Sequence, residues 1–179
     1  TMKAFQSAWQ TAVGKLGYRA PLPDRSGGKG KLKGAIDVYL ANIGVDGATE
    51  GQCKPTAPKR AKHPRAAKSA YCIVENDFKG LPPGESIGPV AAHEFFHAVQ
   101  YAYNSLMPGW LAEGTAVWMQ SQVLDTKQGD GFLLQSPLTD PQLPLDTSDQ
   151  LGAYGTWIFW QYVSEAVGTG PIRSVFESS

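Results

Sequence analysis

The 179-residue chain reads as an α+β fold, and three observations carry that reading. Ile36, Val38 and Leu40 alternate with Asp37, Tyr39 and Ala41, the period-two pattern of a half-buried strand. Tyr71-Cys72-Ile73-Val74 is a second short run of strand-forming residues. Beyond it, three segments (86–103, 110–124 and 150–167) are apolar and long enough for helices. A small mixed sheet containing 35–43 and 69–75, packed on the first of these helices, with the other two completing a cleft, buries all of them. The length suits one domain over 1–179 with a core of its own.

Composition narrows the function classes. A 42% hydrophobic content with five Trp, seven Tyr and seven Phe describes a folded chain rather than a disordered one. Sixteen basic side chains balance sixteen acidic ones, so no net field draws the chain to nucleic acid or to an anionic membrane. No apolar run approaches the ~20 residues of a transmembrane segment. The start carries no signal-peptide pattern, and Thr1-Met2 and Phe176-Glu177-Ser178-Ser179 read as the edges of a trimmed or processed chain. Nothing in the composition sets an oligomeric state.

Taken in order, Phe5, Ala8, Trp9, Ala12, Val13 and Leu16 recur at spacings of three and four, an amphipathic helix over 2–17 that Gly17 stops. Pro21 to Gly34 reads as an exposed loop, and its Ser26-Gly27-Gly28-Lys29-Gly30 lacks the spacing of a phosphate-binding loop. After the first strand, 42–51 is turn-rich. Lys59, Arg60, Lys62, Arg65 and Lys68 form a basic run without interleaved aromatics, so it reads as a solvated loop, with His63 facing water. The second strand runs into Glu75-Asn76-Asp77, two acidic groups near an amide of the kind that bind Ca²⁺, in a cluster too short to argue a site from.

Pro82-Pro83-Gly84 breaks the chain, and a helix begins at Glu85 or Ser86, with Pro89 tolerated in its first turn. It runs to about Tyr103, with Asn104 as a left-handed stop. Met107-Pro108-Gly109 turns the chain into a helix from Trp110 to Leu124, where Ala112 and Ala116 permit close packing. Residues 128–149 form a long loop, of the kind that beside an active site is usually functional. Gln150 to Val167 is apolar nearly all round, the mark of a buried helix. Gly168-Thr169-Gly170-Pro171 ends it, and Ile172 to Phe176 starts another.

The chemistry concentrates in Ala91-Ala92-His93-Glu94-Phe95-Phe96-His97-Ala98-Val99-Gln100, which holds two of the three histidines. Positions i and i+4 share one helical face, so both imidazoles reach a single point, as two ligands of Zn²⁺ must. Glu94 lies roughly 100° round the helix from His93. It flanks the metal and suits the role of general base towards a metal-bound water. On a solvated surface helix the same residues would simply face water. Here Phe95, Phe96, Ala98 and Val99 surround them, and polar groups set among apolar neighbours need a partner.

Cys53 and Cys72 are the only cysteines and lack metal-finger spacing. They flank a loop-like excursion between strands. A disulfide closing a loop of that size stabilises by about 3 kcal/mol on the chain-entropy model and implies an oxidising, extracellular compartment.

On the His-Glu-x-x-His motif the chain resembles zinc metallopeptidases of the zincin superfamily. Trp110-Leu111-Ala112-Glu113-Gly114-Thr115-Ala116 looks like the glutamate helix of gluzincins. The order from Ile36-Asp37-Val38-Tyr39-Leu40 to Tyr154-Gly155, over most of the chain, is similar to that of secreted bacterial metallopeptidases. The resemblance implies a zincin-like fold, a Zn²⁺ cofactor, a polypeptide substrate and a secreted location. A catalytic zinc needs a third protein ligand besides His93 and His97. Metzincins would place glycine and histidine where Gln100 and Tyr103 stand, which excludes that class. Glu113 is the third ligand expected. It is the lone charge between Asn104 and Gln122, fifteen residues separate it from His97, and Gly114 and Ala116 leave room beside the first helix. Asp125 is the alternative. A glutamate in that place can also be a surface residue favoured by the helix N-terminus.

Glu94 would then take the water's proton and deliver it to the leaving amine. Tyr154, in the place where gluzincins carry an oxyanion donor, is the candidate for that role, and core packing is its other reading. The leading expectation is a secreted zinc endopeptidase. Its rival is a catalytically inactive zincin-like binding or adhesion module with a structural zinc, which would have no need of Glu94.

Overall fold

A computed structural model describes residues 1–23, 35–44, 49–56, 67–79, 86–124, 141–146 and 150–178. The glycine-rich Ser26–Gly30, the basic run from Lys59 to Arg65 with His63, the Pro82-Pro83-Gly84 break, Asp125 and most of the loop after 128 lie outside them. Helix α1 (Met2–Trp9) continues into a wider π-helical stretch at Gln10–Lys15. Strands β1 (Asp37–Ala41), β2 (Gly51–Pro55) and β3 (Ala70–Glu75) follow. Then come helices α2 (Ile87–Tyr101), α3 (Gly109–Leu124), α4 (Gln150–Gly155), α5 (Trp157–Val167) and α6 (Gly170–Ser178). The fold is α+β, and no helix among the described residues is long and apolar enough to cross a membrane.

The sheet is small and mixed, in the order β1-β3-β2. β1 runs parallel to β3, with Val38 opposite Cys72, and β2 runs antiparallel, with Cys53 opposite the same residue. That register brings the two cysteines together, and they form a disulfide. β2 was not foreseen, because Gly51-Gln52-Cys53-Lys54-Pro55 has neither branched residues nor apolar alternation. As an edge strand it tolerates Pro55. β1 is shorter than expected and its alternation does not hold: Tyr39 and Leu40 are each 54% exposed. Helix α2 packs on β2 and β3, and β1 lies beyond them. The helix therefore covers Cys72 and Val74 but leaves the end of β1 bare.

Glu75 closes the far end of β3. Its buried carboxylate accepts N–H bonds from Ile43 (2.7 Å), Gly44 and Asn76 (2.9 Å). These donors, Gly44 foremost, hold its pKa below the usual carboxylate range. Asp77 pairs with Lys79 at 3.0 Å, so the acidic cluster serves the backbone and the surface.

Helix α2 is buried without interruption from Val90 to Gln100, between α1, the sheet and α3. Phe95 meets Trp9, while Phe96 lies edge-on to Tyr18 and Phe176. Gly17 ends the first helical segment at φ +74°, as expected. Arg173 of α6 stands where a Cβ would lie and donates to the Leu16 carbonyl at 3.2 Å.

Two helical expectations need correction. Helix α2 ends at Tyr101, and Asn104 is not left-handed: Phe78 is the one non-glycine residue with positive φ among those described. Asn104 instead turns the chain with its side chain, Oδ1 accepting the Leu106 N–H at 2.9 Å. The segment 150–167 is not one buried helix. It breaks at Thr156, and Ile158, Phe159 and Tyr162 are exposed, Tyr162 by 69%. Helix α5 packs on α3 and α6, with Trp157 and Trp160 buried and Trp160 stacked on Trp110 of α3, and no described element covers its outer face.

Candidate metal centre

Ser86 precedes α2 in an extended conformation, and Pro89 sits in the first turn, where it breaks no helical hydrogen bond. The helix then carries His93 and His97 on the face towards α3, their rings edge to face and their Nε2 atoms 3.0 Å apart. Glu113, one turn into α3, places Oε2 3.1 Å from His93 Nε2 and 3.4 Å from His97 Nε2. Thr156 at the α4–α5 junction packs against this turn. Its Oγ1 occupies the space a Cβ on Gly114 would need and lies 2.8 Å from the Trp110 carbonyl. Glycine beside Glu113 is thus a condition of the close approach.

The three atoms suit a cation. Bonds of ~2.0–2.1 Å to a tetrahedral ion set its ligand atoms about 3.3–3.4 Å apart. The observed separations of 3.0, 3.1 and 3.4 Å are near that. Among the described residues, His93, His97 and Glu113 form the group of His, Cys, Asp and Glu side chains able to hold a metal ion.

The same charges that would attract a cation hold a proton. For His97, burial acts downward. The hydrogen bond to Glu113, the charges of Glu113 and Glu94, and Gln100 outweigh it, pushing the pKa up to about 9. Burial acts upward on Glu113, but the bonds and charges of His93 and His97 prevail and hold it well below the usual carboxylate range.

Glu94 is buried beside the pair, 7% exposed, and its Oε2 has no hydrogen-bond partner. A buried carboxylate oxygen left unpaired in an apolar helix costs stability and needs an explanation. The strand β2 reaches this residue because Gly51 has no side chain. A Cβ there would stand 2.7 Å from Glu94 Cγ and 2.8 Å from Val90 Cγ1. The disulfide lies against the same turn, with Cys72 Sγ 3.7 Å from the Glu94 carbonyl oxygen. That is a packing contact, since a disulfide sulfur has no proton to donate.

Tyr154 lies flat on the His93 ring, centroids 5.7 Å and planes 8° apart. Burial first, then the charge of Glu113 and a hydrogen bond to it, push its pKa above the ordinary 10 and keep the hydroxyl protonated. Sequence reasoning passed over Tyr101, which stacks on His97 and donates its hydroxyl to the Cys53 carbonyl at 3.3 Å. Burial, with the charges of Glu113 and Glu94, pushes that hydroxyl up to about 12.

It also missed Gln100 as part of the site. The residue is fully buried, 2.8 Å from His97 Nδ1 and bonded to α3. The signal was present, since Gln100 is an amide in an apolar run three residues past His97, on the same face. Gly114 was expected to leave room beside α2, but the side chains it admits are Thr156 and Trp160, and Gly51 left no such trace.

Compared with protein-family models, curated proteins and solved structures, the chain finds no match.

Proposed function

We propose that the chain is a secreted zinc peptidase of gluzincin type, with a zincin-like fold, that hydrolyses peptide bonds in polypeptide substrates. The observation that carries this reading is one juxtaposition: three ligand atoms converge beside a buried carboxylate that has an unpaired oxygen. His93, His97 and Glu113 hold the metal. Two imidazoles and one carboxylate are a donor set of catalytic zinc sites, and they leave a coordination position open. Zinc held there supplies Lewis acidity to the scissile carbonyl and lowers the pKa of a water towards ~7.

The remaining work falls to side chains. Glu94 Oε2 accepts the proton of the attacking water and returns it to the amine that leaves. Tyr154 keeps its proton in this environment and donates a hydrogen bond to the oxyanion that develops on the carbonyl. The Cys53–Cys72 disulfide supports an oxidising compartment.

The test is a pair of measurements on the zinc-loaded chain. Metal analysis is expected to give about one zinc per chain. Digestion of an unfolded protein substrate is expected to stop with a chelator and resume with zinc. Bound zinc without hydrolysis would leave a binding or adhesion module with a structural metal. No bound zinc would end both readings.

A further inference from the structure

Gln100 is 1% exposed, and its amide has one possible orientation. Nε2 donates to the Ala112 carbonyl at 2.7 Å and to Thr115 Oγ1 at 3.0 Å. Thr115 uses its single hydroxyl proton on the Leu111 carbonyl at 2.6 Å, so its oxygen is an acceptor towards Gln100. Turning the amide round would set its carbonyl oxygen against two acceptors. Oε1 must therefore face His97 Nδ1, 2.8 Å away, and Nδ1 must carry the proton of that bond. In a neutral imidazole the lone pair then belongs to Nε2, the nitrogen that faces His93 and Glu113.

We propose that Gln100 is the positioning residue of the metal centre. It selects the Nε2-ligating tautomer of His97 and orients that ring from α3, so that the ligands of the two helices are set as one unit. This inference rests on the reading of His93, His97 and Glu113 as a metal site. Ala112, the residue that anchors Gln100, is the immediate neighbour of Glu113. A shift of α3 would therefore move one ligand and the orienting group of another together. His93 has no such counterpart: the atom 3.3 Å from its Nδ1 is the donor Nε2 of the half-buried Gln120, and the Nε2-ligating tautomer requires that amide to turn its Oε1 to the ring.

The experiment compares zinc affinity, by competition with a chelator, and thermal unfolding without zinc, for the wild type, Gln100→Leu, Gln100→Glu and Thr115→Val. Gln100→Leu removes the acceptor, and zinc affinity is expected to fall about tenfold to a hundredfold. Gln100→Glu keeps an acceptor at Nδ1 but loses both donors to α3. Its unfolding temperature should fall, while its zinc affinity should fall by about threefold to tenfold, less than that of Gln100→Leu. A role in helix packing alone predicts that Leu and Glu behave alike in both measurements, and that result would overturn the proposal. So would wild-type affinity in Gln100→Leu.

Should Gln100→Leu not fold, Thr115→Val carries the test with the glutamate variant, since it leaves Gln100 its bonds to His97 and Ala112 and removes one acceptor of the amide together with the hydroxyl's own bond to the Leu111 carbonyl. It is expected to weaken zinc about threefold to tenfold, and no change would refute the link through α3. A long-range ¹H–¹⁵N spectrum of the zinc-loaded wild type should show the His97 proton on Nδ1. A proton on Nε2 would refute the tautomer. A wild type that takes no zinc fails at the earlier step and defeats the metal reading itself.

Discussion

Helix α2 is held from two sides that act differently. On the α3 side the contacts are polar and directional: Glu113 to both histidines, and Gln100 to Ala112 and Thr115. On the sheet side the contact is close and largely apolar, with Gly51 admitting the β2 backbone beside Glu94 and the disulfide lying under the same turn. The two residue classes of the proposed mechanism divide along that line. Metal ligands need fixed directions, which hydrogen bonds provide. A general base needs a fixed place but a free lone pair, and packing against a strand provides the place without consuming an oxygen.

The largest expected effects separate the two sides. Glu113→Ala removes a ligand on the α3 side, so zinc content and hydrolysis should vanish together, beyond the ~10–100-fold affinity loss of an outer partner. Added zinc should restore part of the rate. Glu94→Gln preserves size on the sheet side but removes the base. Zinc should stay bound while turnover falls by ~10²–10⁴-fold. Zinc assays and peptide hydrolysis on both proteins decide it. If Glu94→Gln loses the metal while Glu113→Ala keeps metal and rate, the two carboxylates have exchanged roles.

A smaller pair of effects uses the two glycines. Gly114→Ala drives a methyl into Thr156 Oγ1, which is fixed between the Trp110 and Ala153 carbonyls, both 2.8 Å away. A destabilisation of about 1–3 kcal/mol is expected, as for overpacked cores, with weaker zinc binding because the Glu113 turn must move. Removing the obstacle in the same chain with Thr156→Ala should recover part of the loss. Gly51→Ala presses on Glu94 Cγ and Val90 Cγ1, side-chain atoms with some freedom to give, so its cost should lie at the lower end of about 1–3 kcal/mol. Turnover should drop with zinc affinity unchanged. Equal loss of zinc in both variants would erase the distinction between the two sides.

The mildest effect is one of pH, read by thermal unfolding of the chelator-treated protein from about pH 5 to about pH 10. His97 is raised from the ordinary 6.5 to about 9, so its contribution is complete below 6.5 and is lost as pH rises through about 9. Glu113 is lowered from 4.5, so its contribution is complete above 4.5 and is lost as pH falls towards its folded value. Stability should therefore be level between 4.5 and 6.5 and decline above. Zinc-loaded protein should not show the alkaline decline, because the metal takes the place of the proton. A decline of the same size with zinc bound would count against ligation by His97.

The helices show how far apolar pattern can be read. Segments 86–103 and 150–167 both look buried in sequence, yet α2 is buried all along its middle and α5 only on one face. Hydropathy states what a helix can bury, whereas its neighbours decide what it does bury. Helix α2 has the sheet, α1 and α3 around it, whereas among the described residues α5 packs chiefly on α3 and α6. Polar residues inside an apolar helix were the more informative sign. His93, Glu94, His97 and Gln100 are all buried, and three of these four were singled out from the sequence as site residues.

By itself the sequence determined the pieces that depend on local spacing. These are the i, i+4 histidine pair with its flanking glutamate, the isolated Glu113, the cysteine pair, the glycine stop at 17 and the α+β class. Each rests on helical geometry, side-chain chemistry or a hydrophobic period, which a single segment carries. Only the tertiary structure decided that β2 exists, that Gly51 and Gly114 are points of contact, that Tyr154 lies on His93, and that Gln100 can face only one way. Those features depend on what a second segment, distant in sequence, places opposite. A missing side chain or a buried amide takes its meaning from the atom across the gap.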